Sequence, residues 1–391
     1  MFVPNATVRV YWNIMKILFT GGVTGGHFYP IIAVAEAIRD IAKERKLLDP
    51  QLFYAAPTPF NEKMLFENDI AFRGIAAGKV RKGGGRIANF FDLFKTGWGV
   101  VKSVITIFFL YPDVIFGKGG YGSFPTLLAG KLFRIPVVIH ESDAVPGKVN
   151  VRAGKFARRV AVSYPAAASY FPKEKTAHTG NPIRKALLHP AAEGATEFLG
   201  LELGVPTILV IGGSQGAQAI NEVILGALPE LLSRYQIIHQ TGEANLVSVE
   251  KTAAVILKDH PRKSRYHAFP YLNDLALRMS AGTASLAVTR AGSAIFEFAG
   301  WKLPAIVVPI PTAISHDQTQ NAFSYAKSGA AVVIEQNNLT PHLLTSEIDR
   351  IIENKPLYES MREAAGRFAD IGAARTIATE LIDIALSHEP R

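Results

Sequence analysis

The sequence has no cysteine, which excludes disulfide bonds, thiolate metal sites and cysteine nucleophiles and indicates a reducing, cytosolic compartment. It also lacks a His-x-x-x-His pair and an Asp-x-Asp motif, so its patterns predict neither a metal site nor a cation held against a nucleotide. Residues 1–14 lack the apolar core of a signal peptide, and we therefore expect no export. Because Met15 directly precedes the first predicted strand, we interpret residues 1–14 as an upstream extension or as the result of a wrongly assigned start.

The length and charge of the chain limit its architecture and its partners. At 391 residues, 48% of them hydrophobic, the chain is long for one core, and two domains are expected. The formal net charge of +9 favours a polyanionic partner or an anionic membrane surface. Nucleic acid is the rival partner, but the basic residues are spread along the chain and no helix-turn-helix, zinc finger or RNA-binding aromatic motif is present. We therefore do not expect nucleic acid to be a partner of this protein.

Both halves of the chain repeat a strand, turn and helix pattern, which predicts two α/β domains with doubly wound parallel sheets. Predicted strands are 16–20, 52–55, 113–116, 137–140 and 160–162 in the first half, and 207–211, 236–239, 285–289 and 305–309 in the second. Predicted helices in the second half are 219–232, 293–299 and 316–327, followed by C-terminal helices to about residue 387. The predicted units are an N-terminal domain 1–185, a linker 186–206, a C-terminal domain 207–371, and a helix in 372–391 that packs back on the first domain.

The first glycine turn, residues 21–27, lies between a predicted strand and a predicted helix whose first turn suits Pro30. Such a turn presents backbone N–H groups at the positive end of a helix dipole and favours anionic ligands. His27 is the side chain there that can take up a proton near neutral pH, and the dipole favours its neutral, basic form. We predict that His27 is a site residue, and a simple capping role is the alternative.

Two further glycine turns follow predicted strands. The second, residues 117–122, satisfies Gly-x-Gly-x-x-Gly, with Glu141 about twenty residues further on, as in a dinucleotide-binding fingerprint. That signal is weak because the fingerprint usually opens the first unit of its domain. The third turn, residues 212–217, again places backbone donors at a helix start. Ligands are expected between the two halves, at the carboxyl ends of the strands.

Residues 79–110 combine a basic loop with an aromatic, apolar segment. Lys79, Arg81, Lys82 and Arg86 flank three glycines, and an apolar run follows from Val100 to Leu110, interrupted by Lys102. This run is predicted to be too short to span a bilayer. A monotopic membrane contact and an ordinary helix packed on the sheet both fit the pattern.

Six motifs in order resemble the MurG family. They are the first glycine turn with Pro30, residues 117–125, residues 140–143 with 146–147, residues 179–184, the third glycine turn, and residues 290–304. The resemblance implies a GT-B fold of two Rossmann-like domains and the transfer of N-acetylglucosamine from UDP-N-acetylglucosamine to undecaprenyl-diphospho-muramoylpentapeptide in peptidoglycan synthesis. It further implies a peripheral enzyme on the cytoplasmic face of the membrane, no cofactor, and cell-wall and division proteins as partners.

The resemblance also implies the roles of individual residues. His27 and Asp143 would lie on the acceptor side as catalytic residues, although Asp143 stands where the family often has asparagine, which leaves its role between hydrogen bonding and auxiliary base. The residues implied in donor binding are Thr24, Gly25, Gly26, Arg184, Ser214, Gln215, Gly216, Leu272, Glu297, Asp317 and Gln318. Those implied at the acceptor diphosphate are Gly25, Gly26, Gly119, Gly120 and Tyr121.

The expected reaction is an inverting, metal-independent displacement in which His27 takes the proton of the attacking hydroxyl. Glu297 would accept hydrogen bonds from the ribose, the backbone near Leu272 would read the uracil, and Ser214 and Gln215 would contact the diphosphate. The alternatives are a GT-B transferase for another UDP-sugar or lipid acceptor and a dinucleotide-binding oxidoreductase that uses residues 117–122.

Overall fold

The computed structural model describes residues 14–78, 86–213, 215–311 and 318–387, with the backbone alone of residues 86–89. Its first sheet consists of seven parallel strands in the order β3-β2-β1-β4-β5-β6-β7. These strands are β1 (Lys16–Thr20), β2 (Gln51–Ala56), β3 (Ile70–Gly74), β4 (Val114–Gly117), β5 (Val137–Glu141), β6 (Arg159–Val162) and β7 (Thr176–His178).

The second sheet consists of six parallel strands in the order β10-β9-β8-β11-β12-β13. These strands are β8 (Thr207–Ile211), β9 (Gln236–Gln240), β10 (Tyr266–Phe269), β11 (Ala284–Thr289), β12 (Ala305–Val307) and β13 (Ala331–Val333). All nine predicted strands are confirmed to within two residues. The α/β class with two doubly wound sheets is confirmed as well.

Helices cover both sheets, as the parallel strands require. They are α1 (Gly25–Glu44), α2 (Glu62–Glu67), α3 (Arg86–Leu110), α4 (Phe124–Leu132), α5 (Lys148–Gly154), α6 (Ala195–Leu199), α7 (Gln218–Leu231), α8 (Leu246–Ile256), α9 (Asp274–Thr283), α10 (Ala294–Gly300), α11 (Gln318–Lys327), α12 (Pro341–Glu353), α13 (Lys355–Phe368) and α14 (Ala373–Ser387). The central strands β1 and β8 are almost wholly buried beneath them.

Helix α1 begins earlier than the sequence pattern predicts. Its N-cap is Thr24 and its first residue is Gly25, so that Pro30 lies inside the helix and not in its first turn. Proline has no N–H to give to the carbonyl four residues earlier, and the resulting gap falls at Gly26. The glycine turn itself therefore supplies the first helical turn.

The C-terminal helix α14 packs against α1 and adds its apolar face to the core beneath the first sheet. Two ion pairs hold α14 in place. Arg375 pairs with Glu44, the last residue of α1, at 2.5 Å, and Asp383 pairs with Arg45, which follows α1, at 2.5 Å. The segment predicted as a linker contains α6, which packs on α9 of the second half. The domain limits themselves stay a prediction.

Helix α3 is longer than the apolar run that predicted it. Residues Phe90–Leu110 form a continuous helical stretch with a mean hydropathy of 1.4, which by length and composition is enough to cross a membrane. The predicted run from Val100 to Leu110 is therefore the second half of a longer apolar helix, which also includes the aromatic turns before Val100. One face of α3 is occupied by protein: Ser103 and Ile107 are buried, and a Cβ at Gly99 would overlap the carbonyl of Ala76. Lys79, Arg81 and Lys82 lie outside the described residues.

Candidate active site

The glycine turns lie at the points where each sheet reverses its strand order. In the first sheet this point is between β1 and β4, and the turns 21–27 and 117–122 follow those two strands. In the second sheet it is between β8 and β11, which lead into the turn 212–217 and into residues 290–293. Ligands in doubly wound folds bind at such switch points. The two switch points meet across the cleft, where a Cβ at Gly26 would lie 3.3 Å from the Oγ of Ser293.

The ring of His27 is held between the first two glycine turns. Its Nδ1 lies 2.7 Å from the hydroxyl oxygen of Thr24. A Cβ at Gly22 would come within 2.7 Å of Nδ1, and one at Gly120 within 3.2 Å of Nε2. Any larger residue at either glycine would displace the ring. In the tautomer with hydrogen on Nδ1, the ring donates to Thr24, and Nε2 carries the basic lone pair on the side of Gly120.

The second glycine turn adopts a backbone that glycine allows and other residues resist. Gly119 and Gly120 have φ angles of 80° and 75°. A 3-10 turn then begins at Tyr121, and Ser123 donates its hydroxyl to the carbonyl of Gly120 at 2.9 Å. The predicted acceptor residues Gly119, Gly120 and Tyr121 are thus brought together with His27.

Asp143 reaches the second half of the molecule. Its Oδ1 accepts a hydrogen bond of 2.8 Å from the Nδ2 of Asn321 in α11. The Oδ1 of Asn321 in turn accepts from the backbone N of Ala144 at 2.7 Å, and its Nδ2 donates to the carbonyl of Ala291 at 3.1 Å. These contacts of Asp143 are those of a hydrogen-bonding group at the domain interface.

The third glycine turn is tied to the residue predicted to read the uracil. Gln240, at the end of β9, donates from Nε2 to the carbonyl of Gly213 at 3.0 Å and accepts at Oε1 from the backbone N of Leu272 at 2.9 Å. The N–H of Leu272 is therefore used within the protein. The predicted donor residues Gln215 and Gly216 follow in the same turn, and a Cβ at Gly216 would overlap the carbonyl of Thr241.

Arg184 and Glu297 face each other near the start of α10. Arg184 is 3% exposed, pairs with Asp274, and lies with its guanidinium carbon 4.1 Å from the centre of the Tyr29 ring. Among the described residues, its Nε has no hydrogen-bond partner. Burial raises the pKa of Glu297 to about 7, and the nearby Arg184 charge opposes that rise. The hydroxyl groups of Tyr29 and Tyr271 close this end of the cleft at 2.6 Å.

Most of the predicted site residues meet at the two switch points. Gln318 opens α11 and accepts from the backbone N of Ile310 at 3.4 Å, and its amide lies beside Gly292. Ser214 and Asp317 lie outside the described residues, so their predicted diphosphate and sugar contacts stay predictions. Sequence reasoning missed Gln240 and Asn321. The available signal was their position: Gln240 ends a buried strand, and Asn321 follows Gln318 by one helical turn.

The comparisons with known proteins follow the same division. The glycosyltransferase family 28 N-terminal domain matches residues 17–162, and the glycosyltransferase family 28 C-terminal domain matches residues 207–376. The crystal structure of Acinetobacter baumannii MurG has a TM-score of 0.69 and 27% sequence identity, and the match covers 94% of this chain and 99% of that chain.

Curated relatives share about a third of their residues with this chain. The UDP-N-acetylglucosamine--N-acetylmuramyl-(pentapeptide) pyrophosphoryl-undecaprenol N-acetylglucosamine transferase 2 of Bacillus thuringiensis subsp. konkukian is 35% identical over 348 residues, which cover 88% of this chain and 94% of the relative. The transferase of that name from Syntrophotalea carbinolica is 36% identical over 369 residues, 93% of this chain and 97% of the relative. The chain belongs to the MurG family of glycosyltransferases.

Membership of the MurG family decides between two of the interpretations. The spacing of residues 117–122 allowed a dinucleotide-binding oxidoreductase, whereas the family consists of GT-B transferases. A UDP-GlcNAc 2-epimerase from Neisseria meningitidis, solved with UDP-GlcNAc bound, has a TM-score of 0.65 at 15% identity, which shows the shared fold alone. The MurG-family chain is therefore a glycosyltransferase, and its fold is GT-B.

Proposed function

We propose that this protein transfers N-acetylglucosamine from UDP-N-acetylglucosamine to the C4 hydroxyl of the muramoyl sugar in the undecaprenyl-diphosphate-linked pentapeptide acceptor. The hydroxyl oxygen attacks the anomeric carbon, UDP leaves from the opposite face, and a β-1,4 bond forms with inversion. The observation that carries the proposal is the ring of His27, fixed between two glycine turns at one switch point, while the neighbouring Gly26 lies against Ser293 at the second switch point.

On the acceptor side, His27 takes the proton of the attacking hydroxyl on Nε2. The Nδ1 of His27 lies 2.7 Å from the hydroxyl oxygen of Thr24, and we assign the hydroxyl as the acceptor of the Nδ1 hydrogen. The turn with Gly119 and Gly120 receives the acceptor diphosphate on its backbone N–H groups. Because the Asp143 carboxylate is engaged by Asn321, we assign Asp143 to the hydrogen-bonding role and not to that of an auxiliary base.

On the donor side, UDP lies against the second sheet. The N–H groups of the turn 212–217 and the positive end of α7 stabilise the charge that develops on the departing diphosphate. Glu297 accepts hydrogen bonds from the ribose hydroxyls. Since the N–H of Leu272 is used by Gln240, the part of Leu272 left to read the uracil is its carbonyl oxygen.

Metal-independence stays part of the proposal. Among the described residues, no group of three or more His, Asp or Glu side chains could hold a metal ion. Transfer of a sugar from a nucleotide involves no change of oxidation state, so the proposal includes no redox cofactor. The donor nucleotide is the small molecule that we assign to the site. Transfer measured with and without EDTA tests this point directly.

We further propose that the protein works at the cytoplasmic face of the membrane as a peripheral enzyme. The support is the outer face of α3, where large apolar side chains are exposed beside the acceptor half. These side chains are Phe90, Phe91, Leu93, Phe94, Trp98, Val101, Ile105, Phe108 and Phe109. Because Ser103 and Ile107 on the opposite face pack into the domain, α3 is suited to lie in the lipid surface instead of crossing it.

The deciding experiment is transfer of labelled N-acetylglucosamine to a lipid I analogue by the wild type and by H27A. Loss of the base is expected to lower kcat by about 10²–10⁴-fold. UDP binding, followed by thermal shift, should be retained in H27A because the nucleotide lies on the other sheet. Near-normal turnover by H27A would assign the base elsewhere. Stabilisation of the wild type by NAD and not by UDP would contradict the donor itself.

A further inference from the structure

Lys118 is a buried lysine that none of the roles above employs. It directly follows β4, and it is 2% exposed. Its Nζ lies 2.7 Å from the Nδ1 of His140 and 3.4 Å from the Oδ1 of Asn181, and it donates to the hydroxyl of Ser142. The side chain thus joins three loops at the carboxyl edge of the first sheet.

The hydrogen bonds of His140 indicate which protonation state of Lys118 suits its three neighbours. The Nε2 of His140 lies 3.0 Å from the carbonyl of Gly180, and only an N–H can make that bond. The Nδ1 of His140 must then be an acceptor. Burial and the charge of Lys118 hold the pKa of His140 well below its usual value, so the ring is neutral. The three neighbours of Lys118 therefore offer three acceptors, one for each N–H of an ammonium group.

The acidic groups near Lys118 are held by other donors. Glu141 accepts from the backbone N of Asp143 at 3.0 Å, from that of Gly147 at 3.1 Å, and from the Nδ2 of Asn150 at 2.9 Å. Burial lowers the pKa of Lys118, and the charges of Glu141 and Asp143 oppose that shift. Burial also raises the pKa of Glu141, and the charge of Lys118 opposes that rise, so the two groups favour each other's charged form through space. The hydrogen bonds of the ammonium group itself go to neutral atoms.

The backbone of Lys118 leads directly into the second glycine turn. The backbone N of Lys118 donates to the carbonyl of Thr20 at 2.8 Å, which joins the ends of β4 and β1. The next residues, Gly119 and Gly120, form the turn that faces His27. Solvent screens the electrostatic interactions of a buried charge less than those of a charge on a surface lysine.

We propose that Lys118 is a positioning residue of the acceptor side, whose buried ammonium group, held at the start of the second glycine turn, makes this site prefer an acceptor linked through a diphosphate. The inference rests on the proposed function, which it deepens by naming a determinant of acceptor charge. The turn supplies hydrogen bonds from its backbone, and Lys118 supplies the opposite charge.

The test compares two acceptors that differ in one group: a lipid I analogue with its diphosphate, and the same glycopeptide joined to its lipid through a neutral linker of equal length. K118M removes the charge with little change of volume, and K118Q removes the charge but keeps N–H donors to join the loops. K155M removes one charge from an exposed lysine and is the matched control. Thermal unfolding reports whether each variant is folded.

We expect K118M and K118Q to lower kcat/KM for the diphosphate acceptor by about tenfold, because one close charge interaction is lost. The change with the neutral acceptor and in the KM for UDP-N-acetylglucosamine should stay below about twofold, and K155M should resemble the wild type. Equal losses with both acceptors, or no loss in K118Q, would overturn the assignment of Lys118. Failure of the wild type to transfer sugar to either acceptor would instead contradict the proposed function, and this inference with it.

Discussion

In the proposed mechanism, the hydroxyl of Thr24 accepts the Nδ1 hydrogen of His27 and so leaves the basic lone pair on Nε2. This hydroxyl lies 2.7 Å from Nδ1, and it belongs to the N-cap residue of α1, although it caps no backbone N–H. A threonine at an N-cap normally accepts from the helix backbone. Here the hydroxyl contacts the ring of His27 instead of the helix backbone. This contact agrees with a role of Thr24 in setting the tautomer of His27.

We predict that T24V lowers kcat by about fivefold, the cost of losing one hydrogen bond worth about 1 kcal/mol. T24S keeps the hydroxyl and should stay near the wild-type rate. The resemblance to relatives implies instead that Thr24 contacts the donor. Steady-state kinetics separate the two roles: a raised KM for UDP-N-acetylglucosamine at unchanged kcat would support donor binding and contradict the tautomer role.

Glu297 gives the site a dependence on pH. Burial raises its pKa from 4.5 to about 7, so in the folded protein the carboxyl group is protonated below that pH. Ionisation in the fold therefore costs stability, and this cost develops as the pH rises from 4.5 to about 7. Only the ionised form has both oxygens available to accept from the two ribose hydroxyls.

We predict that the KM for UDP-N-acetylglucosamine falls as the pH rises through about 7, because Glu297 then ionises. E297Q should show a high KM that does not change over the same range, while its kcat keeps the pH dependence of the wild type. Initial rates at fixed acceptor concentration between acidic and alkaline pH provide the measurement. A wild-type KM that is independent of pH would remove Glu297 from the ribose contact.

At the scale of elements, Gln240 connects two parts of the donor site. It ends β9, and its amide joins the third glycine turn to the segment that precedes α9. The same strand begins with another buried glutamine, Gln236, whose amide binds the carbonyls of Glu202 and Val205 at the opposite edge of the sheet. The chain thus contains its own control for the loss of a buried glutamine.

We predict that Q240M weakens UDP binding by about tenfold or more, because a buried carbonyl and a buried N–H lose their partners and the two segments separate. Q236M loses similar bonds and should lower the melting temperature to a similar extent, with UDP affinity unchanged. Calorimetric titration with UDP and thermal unfolding of both variants give the comparison. Equal affinity in the two variants would make Gln240 a purely structural residue.

The edges of the sheets explain what the sequence could not predict of the fold. The four strands that the pattern missed, β3, β7, β10 and β13, are the outer strands of the two sheets. The central strands are covered on both faces and read as continuous apolar runs. An edge strand is partly open to solvent and carries polar residues, such as Arg73 in β3 and His178 in β7, so that its pattern resembles a loop.

The candidate site shows a similar division. The glycine turns and His27 were predictable because a turn between a strand and a helix start is local in sequence. Gln240 and Asn321 were not, because the hydrogen bond from Gln240 to Gly213 spans 27 positions and the one from Asn321 to Asp143 spans 178. Such pairs depend on how the strands are ordered and how the halves meet, and one sequence does not contain that information.

At the scale of the whole molecule, the two halves meet at both ends of the cleft. Two polar contacts are the hydroxyl pair of Tyr29 and Tyr271 at 2.6 Å and Asn321 with Asp143 at 2.8 Å. The halves also share an apolar contact, in which the ring of Tyr164 packs against those of Phe296 and Phe368. The two polar contacts can break and form again as the halves open for substrates and close during transfer. Closure matters because water in the cleft would compete with the acceptor hydroxyl.

The contact between Asn321 and Asp143 can be tested directly, because N321D places a second carboxylate against that of Asp143. We predict that N321D opens the cleft and lowers kcat by about 10- to 150-fold, which corresponds to the loss of a charge-assisted hydrogen bond of about 1.5–3 kcal/mol. Because the chain has no cysteine, one cysteine introduced in each half allows dyes to report the distance between them by energy transfer. Q320L, an exposed change in the same helix, is the control.

The double variant D143N/N321D exchanges the two side chains and restores a donor opposite an acceptor. If the Asp143–Asn321 contact governs closure, the double variant should recover part of both the closed distance and the rate, since the two changes are coupled. If Asp143 were an auxiliary base, closure would return without the rate, because an amide cannot take a proton from the acceptor. A double variant with the open distance of N321D would show that closure depends on other contacts.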